Sequence, residues 1–282
     1  MKHGEDHFLG FGSLQLYYQR WLPDKLPSRA VIVMLHGDFA HSGWYINLPQ
    51  HEVPLGYAVY AYDRRGWGRS PGQRGYIDRW GENIEDLDAF LQLVRTKEPD
   101  CPIFLMGHTG SAPIVLEYAM QYPRGLNGVF CVSPVLSTGE AVPVPLRLLL
   151  HFLSKVLPHL TIDVRRRFNA QASYISRDPA FVKFIREDQL CNTKITPRWL
   201  TESESAMQHV MEQAADLQVP LLVLIGGADR NSSPETTKLY FQNVTIADKE
   251  LREYPGAYAN LLSETNYEEV LKDIDEWLDK HL

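Results

Sequence analysis

The chain has 282 residues, 44% of them apolar, with 28 basic against 35 acidic side chains and a formal charge of −7. That length can bury one sizeable core plus an insertion without requiring a second independent domain. The acidic balance argues against nucleic acid as a partner, because phosphate binding needs a basic face.

Met1 to His7 is polar and lacks the apolar segment of a secretory signal, and no run is long enough for a transmembrane helix. Alternation from Leu14 to Trp21 predicts an early antiparallel strand, followed by a loop over Pro23 to Ser28. Ala30 to Leu35 is an apolar strand leading into His36-Gly37, with His41-Ser42-Gly43 and Tyr45 just beyond. A second strand, Tyr57 to Tyr62, runs into Asp63-Arg64-Arg65-Gly66-Trp67-Gly68-Arg69-Ser70-Pro71-Gly72. Ile103 to Met106 is a third strand, and Gly107-His108-Thr109-Gly110-Ser111 after it has the layout of a sharp strand-to-helix turn, with small residues flanking Thr109. Ile114, Val115, Tyr118 and Ala119 then fall at helical spacing, with Pro113 tolerated in the first turn. Gly128 to Val132 is another strand, ended by Ser133-Pro134. Pro143 to Leu157 predicts a helix apolar on more than one face, and Arg165-Arg166-Arg167 reads as a solvated patch. Late strands lead to Asp229 and to Tyr254-Pro255-Gly256-Ala257, and a C-terminal helix carries His281. Apolar strands alternating with helices give a mostly parallel sheet covered on both faces.

Cys101, Cys131 and Cys191 are widely spaced and odd in number. They form neither a disulfide framework nor a metal-ligand pattern, which fits a reducing, cytoplasmic setting. Cys131, inside an apolar strand, reads as a small buried hydrophobe.

The His36-Gly37 loop, the Asp63 to Gly72 run, the turn at Thr109 and the late Asp229 and Ala257 segments resemble the α/β-hydrolase family, in its monoacylglycerol lipase and lysophospholipase (serine aminopeptidase S33-like) branch. The resemblance implies an α/β-hydrolase fold over nearly the whole chain. Residues 1–136 would form the first part of the core, 137–216 an inserted helical cap and 217–282 the second part of the core. It implies an apolar, acyl-type small molecule as substrate or ligand, and neither a cofactor nor a metal. The cap helix either closes over the pocket or makes a transient contact with a membrane, a lipid surface or a partner chain; oligomeric state is left open.

Carried over residue by residue, the resemblance places Thr109 at the nucleophile position, Asp229 at the acid position and the backbone N–H groups of Asp38 and Gly110 in the oxyanion hole. Two positions depart from the family pattern. Thr109 replaces the usual serine, and Ala259 stands where the base histidine belongs, in Tyr258-Ala259-Asn260-Leu261-Leu262. A neutral hydroxyl attacks poorly unless a neighbouring base takes its proton, and the threonine methyl narrows the rotamers open to the oxygen. Ordinary triad ester hydrolysis is therefore not expected. The Asp38 carboxylate opposes an oxyanion if it faces the pocket, or else serves as an alternative base. His108 is the other alternative base, although neighbours on a sharp turn are expected to project apart. His36 reads as a structural residue holding its loop, and Ser111 as a small packing residue. Three readings stand: an enzyme with a repurposed site, a non-catalytic relative that binds a ligand or a protein, and an active esterase in which Ala259 is an introduced replacement.

Overall fold

The computed structural model describes residues 1–137 and 143–282, so the start of the expected cap, at 138–142, lies outside the described residues. In chain order come β1 (Lys2–Leu9), β2 (Gln15–Leu22), β3 (Val31–Leu35), β4 (Ala58–Tyr62), β5 (Ile103–His108) and β6 (Gly128–Val132). The short β7 (Ile162–Asp163) and β8 (Lys194–Ile195) pair with each other, and β9 (Leu221–Gly226) and β10 (Lys249–Tyr254) follow. The main sheet has the order β1-β2-β4-β3-β5-β6-β9-β10. β1 pairs antiparallel with β2, and β2 antiparallel with β4; every other pairing in this sheet is parallel.

All residues of β3, β4, β5, β6 and β9 are buried, which explains their unbroken apolar runs. Alternate side chains enter opposite cores. Val31, Val33 and Leu35 pack towards α2 (Gly81–Lys97) and α3 (Ala112–Gln121), through Leu87, Phe90, Ile114 and Val115. Ile32, Met34, Phe104 and Phe130 pack towards α1 (Asn47–Glu52) and the C-terminal α9 (Tyr267–Lys280), through Leu48, Val270, Ile274 and Trp277. α8 (Pro234–Asn243) contributes Tyr240 to the first core.

Between β6 and β9 lie α4 (Val144–Val156), α5 (Arg165–Gln171), α6 (Pro179–Glu187) and α7 (Pro197–Glu212). Thr196 caps α7 by accepting the Trp199 N–H, and Pro197 opens it with the fixed φ of a first-turn proline. Residues of the loop after β3 help hold this insertion against the core. Phe39, in the loop after β3, meets Phe168 of α5 at 5.7 Å and Trp199 of α7 at 6.4 Å between ring centroids. Asp188, just past α6, accepts from His41 Nε2 at 2.8 Å and from Trp44 Nε1 at 2.6 Å. Burial works to raise the Asp188 carboxyl, but these donors outweigh it and hold it below its ordinary value.

The N-terminal strand β1 has no apolar pattern to announce it. Of its eight residues only Phe8 is buried, so pairing with β2 supplies its backbone partners while its charged side chains face water on the sheet edge. Among the described residues no helix is long and apolar enough to cross a membrane.

Candidate active site

β5 ends in a sharp turn that lifts Thr109 above the sheet. Gly107 makes the close approach possible: a Cβ there would meet Val115 Cγ2 at 2.5 Å and Ala112 Cα at 2.9 Å. Ser111 does more than pack. Its buried hydroxyl accepts the His108 N–H at 2.9 Å and donates to Leu35 O at 2.8 Å, latching the turn to β3. Thr109 sits at φ 46°, in the left-handed region that a β-branched residue rarely enters. Such strain costs about 1–3 kcal/mol and persists only where the surroundings dictate it. The elbow geometry is thus retained although its residue is the wrong shape for it.

The expectation that His108 and Thr109 point apart is not met. Thr109 Oγ1 lies 3.4 Å from His108 Nδ1. The contact is too long for efficient proton transfer, and the ring is already engaged. Tyr45 Oη accepts the Gly37 N–H at 3.0 Å and stands 2.8 Å from His108 Nδ1, while Nε2 faces the Ala259 carbonyl at 3.3 Å. A carbonyl only accepts, so Nε2 carries the proton and Nδ1 accepts from the tyrosine hydroxyl. Burial pushes the His108 imidazole down to about 4, leaving it neutral and weakly basic at pH 7.

Ala259 is buried, and the position offers only the carbonyl that fixes His108. Asp229, at the acid position, is tied into its own turn. It accepts the Asn231 N–H at 2.7 Å, the Ser232 N–H at 3.2 Å and the Ser232 hydroxyl at 2.5 Å, while burial raises its carboxyl above the usual range. The serine hydroxyl occupies the carboxylate, and no imidazole among the described residues bonds it. His281 is bound elsewhere, to the Trp277 carbonyl at 2.6 Å and the Asp248 carboxylate at 3.1 Å.

Asp38 faces the elbow. A Cβ on Gly110 would lie 1.8 Å from Asp38 Oδ2, so the carboxylate rests directly on the glycine Cα, where the expected oxyanion hole opens. Its other oxygen accepts from Arg64 Nη2 at 2.9 Å, and the Arg64 side chain is only 2% exposed. A carboxylate in that place opposes the negative oxygen the hole would have to bind, and its ion pair with Arg64 occupies it as a base. His36 holds its loop through backbone groups, with Nδ1 donating to Gly37 O at 2.7 Å and Nε2 accepting the Arg64 N–H at 2.9 Å.

A family model described as serine aminopeptidase, S33, matches residues 27–266. The chain belongs to this family. Within it, the S33 chain is 30% identical over 279 residues to the monoacylglycerol lipase of Mycolicibacterium smegmatis, covering 99% of this chain and 98% of that one. Among solved structures, the monoacylglycerol lipase of Paleococcus ferrophilus superposes with a TM-score of 0.84 at 29% identity, over 95% of this chain and 99% of that one. A soluble variant of the Saccharomyces cerevisiae monoglyceride lipase, in complex with a substrate analog, gives 0.85 at 23% identity over 97% and 94%. The fold is accordingly the α/β-hydrolase fold, and the monoacylglycerol lipase branch is the one this S33 chain resembles.

Three residues that shape the site were not candidates in the sequence. Arg64 and Tyr45 lie inside quoted motifs, but nothing in their spacing tells that one would pair with Asp38 and the other with His108. Ser232 is three residues after Asp229, a spacing at which a hydroxyl commonly returns to a turn aspartate. Among the described residues, the side chains that converge as metal ligands would are His51, Glu52 and Asp275, on α1 and α9, and not the elbow group.

Proposed function

We propose that the chain holds an apolar, acyl-type small molecule beneath its inserted helices and does not hydrolyse esters by the family triad. The observation carrying this reading is that the His108 imidazole beside Thr109 accepts a hydrogen bond from Tyr45 and is depressed to about 4. The names of the relatives, monoacylglycerol lipases, support the ligand class. In this reading residues 137–216 act as a cap on a core formed by 1–136 and 217–282, and no nucleic acid takes part. The free cysteines support a cytoplasmic setting.

The cap would also touch a lipid surface. α4 packs on α7, where Ser154 bonds Thr201 at 2.8 Å, and turns Leu148, Leu149 and Phe152 to solvent at 65%, 50% and 61% exposure. Amphipathic helices with an outward apolar face partition into the headgroup boundary. A second reading, slow hydrolysis by Thr109 with His108 as base, is favoured by their 3.4 Å contact alone.

Restoration tests the first reading. Thr109→Ser combined with Ala259→His, assayed on p-nitrophenyl esters, monoacylglycerols and lysophospholipids, is expected to gain at least about tenfold in turnover over the parent, since general-base catalysis contributes about 10²–10⁴. A parent chain already as active as the double variant would sink the proposal.

A further inference from the structure

Glu52 ends α1 in a place where no donor reaches it. Its side chain is fully buried and neither carboxylate oxygen has a hydrogen-bond partner among the described residues. Asp275 of α9 faces it, with a buried Oδ1 that also lacks a donor and an Oδ2 that lies 2.6 Å from His51 Nε2. One ligand atom from each of the three residues lies within 4.8 Å of the others. The nearby Arg29 guanidinium is bound instead to Asp279, at 2.9 Å. Buried carboxylate oxygens without donors, beside an imidazole whose ring nitrogen lies within ligand distance of both carboxylates, form an arrangement that positive charge between them would satisfy.

We infer that His51, Glu52 and Asp275 form a binding site for a divalent first-row transition cation of the zinc type, which clamps α1 to the C-terminal helix. One imidazole and two carboxylates match the donor set of such ions, whereas calcium takes six or more oxygens and magnesium keeps most of its water. Donors about 2 Å from a tetrahedral metal stand roughly 3–3.5 Å apart, so small side-chain rotations close the site. The His51 and Asp275 side chains are 33% and 22% exposed, which gives the ion an access path and leaves a fourth position for water. The site is separate from the elbow, and its function would be structural.

The test uses the full chain, stripped with a chelator and titrated with Zn²⁺ by calorimetry and with Co²⁺ by visible absorption. One ion per chain is expected, with a rise in Tm and a Co²⁺ spectrum showing nitrogen ligation. Glu52→Gln and His51→Ala should each lose at least about tenfold in affinity, the loss of one good ligand. His51 is partly exposed, so its variant carries the test if the buried substitution unfolds the chain. Absence of stoichiometric binding, or equal affinity in both variants, overturns the assignment. A Glu52→Gln chain more stable than the parent, with no metal effect in either, would instead identify a proton shared between the two carboxyls.

Discussion

Replacing Tyr45 with phenylalanine removes a single oxygen from the centre of the site. That oxygen accepts the Gly37 N–H at 3.0 Å and donates the hydrogen bond that His108 Nδ1 accepts at 2.8 Å, within a side chain that is 0% exposed. The variant therefore leaves a buried donor and a buried acceptor unpaired. Each such group costs about 1–3 kcal/mol, about 2–6 kcal/mol together, with the lower end applying if the Thr109 hydroxyl moves in on the freed lone pair. At about 2–4 °C per kcal/mol for a chain of roughly this size, even the lower end lowers Tm by about 4–8 °C. Ester turnover should stay at background, because His108 remains too weak a base at about 4 to take the threonine proton. Differential scanning calorimetry and a p-nitrophenyl ester assay read the two effects separately. An unchanged Tm would mean that the two hydrogen bonds do not form. Turnover appearing in Tyr45→Phe would mean that the tyrosine alone had been holding an effective base away from Thr109.

His108 also sets a pH dependence. Its folded value of about 4 lies below its ordinary 6.5, so the unfolded chain takes up a proton first as the pH falls. Stability drops between those two values by up to about 3 kcal/mol, and His108→Gln should flatten that slope in denaturant titrations. Asp188 acts lower on the scale: its depressed carboxyl stabilises the fold above the ordinary aspartate range and is lost as pH falls through the folded value. Asp188→Asn should remove that acid-side loss in thermal melts. On α4, the pair Leu149→Glu and Phe152→Glu should weaken co-sedimentation with phospholipid vesicles by at least about tenfold, since each exposed apolar side chain is worth about 1.5–3 kcal/mol when buried. Vesicle binding equal to the parent's would remove α4 as a lipid contact.

The parts of this molecule that were legible in the sequence are those where local pattern and tertiary role coincide. β3, β4, β5, β6 and β9 are buried on both faces and read as unbroken apolar runs. That Ala259 stands where the family pattern leads one to expect a histidine is readable in a linear motif, because a residue type needs no geometry to be noticed. β1 was not legible, since an edge strand with polar side chains is defined by its partner and not by its own composition. The positive φ of Thr109 and its side chain's approach to His108 are backbone and packing facts that spacing does not report. The Tyr45–His108 bond joins residues 63 positions apart, and only the folding of the loop after β3 onto β5 brings them together. Whether Asp38 faces the elbow was likewise decided by packing, through the bare Cα of Gly110 and the Arg64 guanidinium.

On the reading proposed above, no group among the described residues deprotonates Thr109. Initial rates of monoacylglycerol and p-nitrophenyl ester hydrolysis, measured side by side for the parent chain and Thr109→Ala, test it most directly. The same low rate is expected for both, with any remaining catalysis no more than about 10³–10⁴ over water, the level that survives without a triad. A parent rate well above that level, abolished by Thr109→Ala, would contradict it.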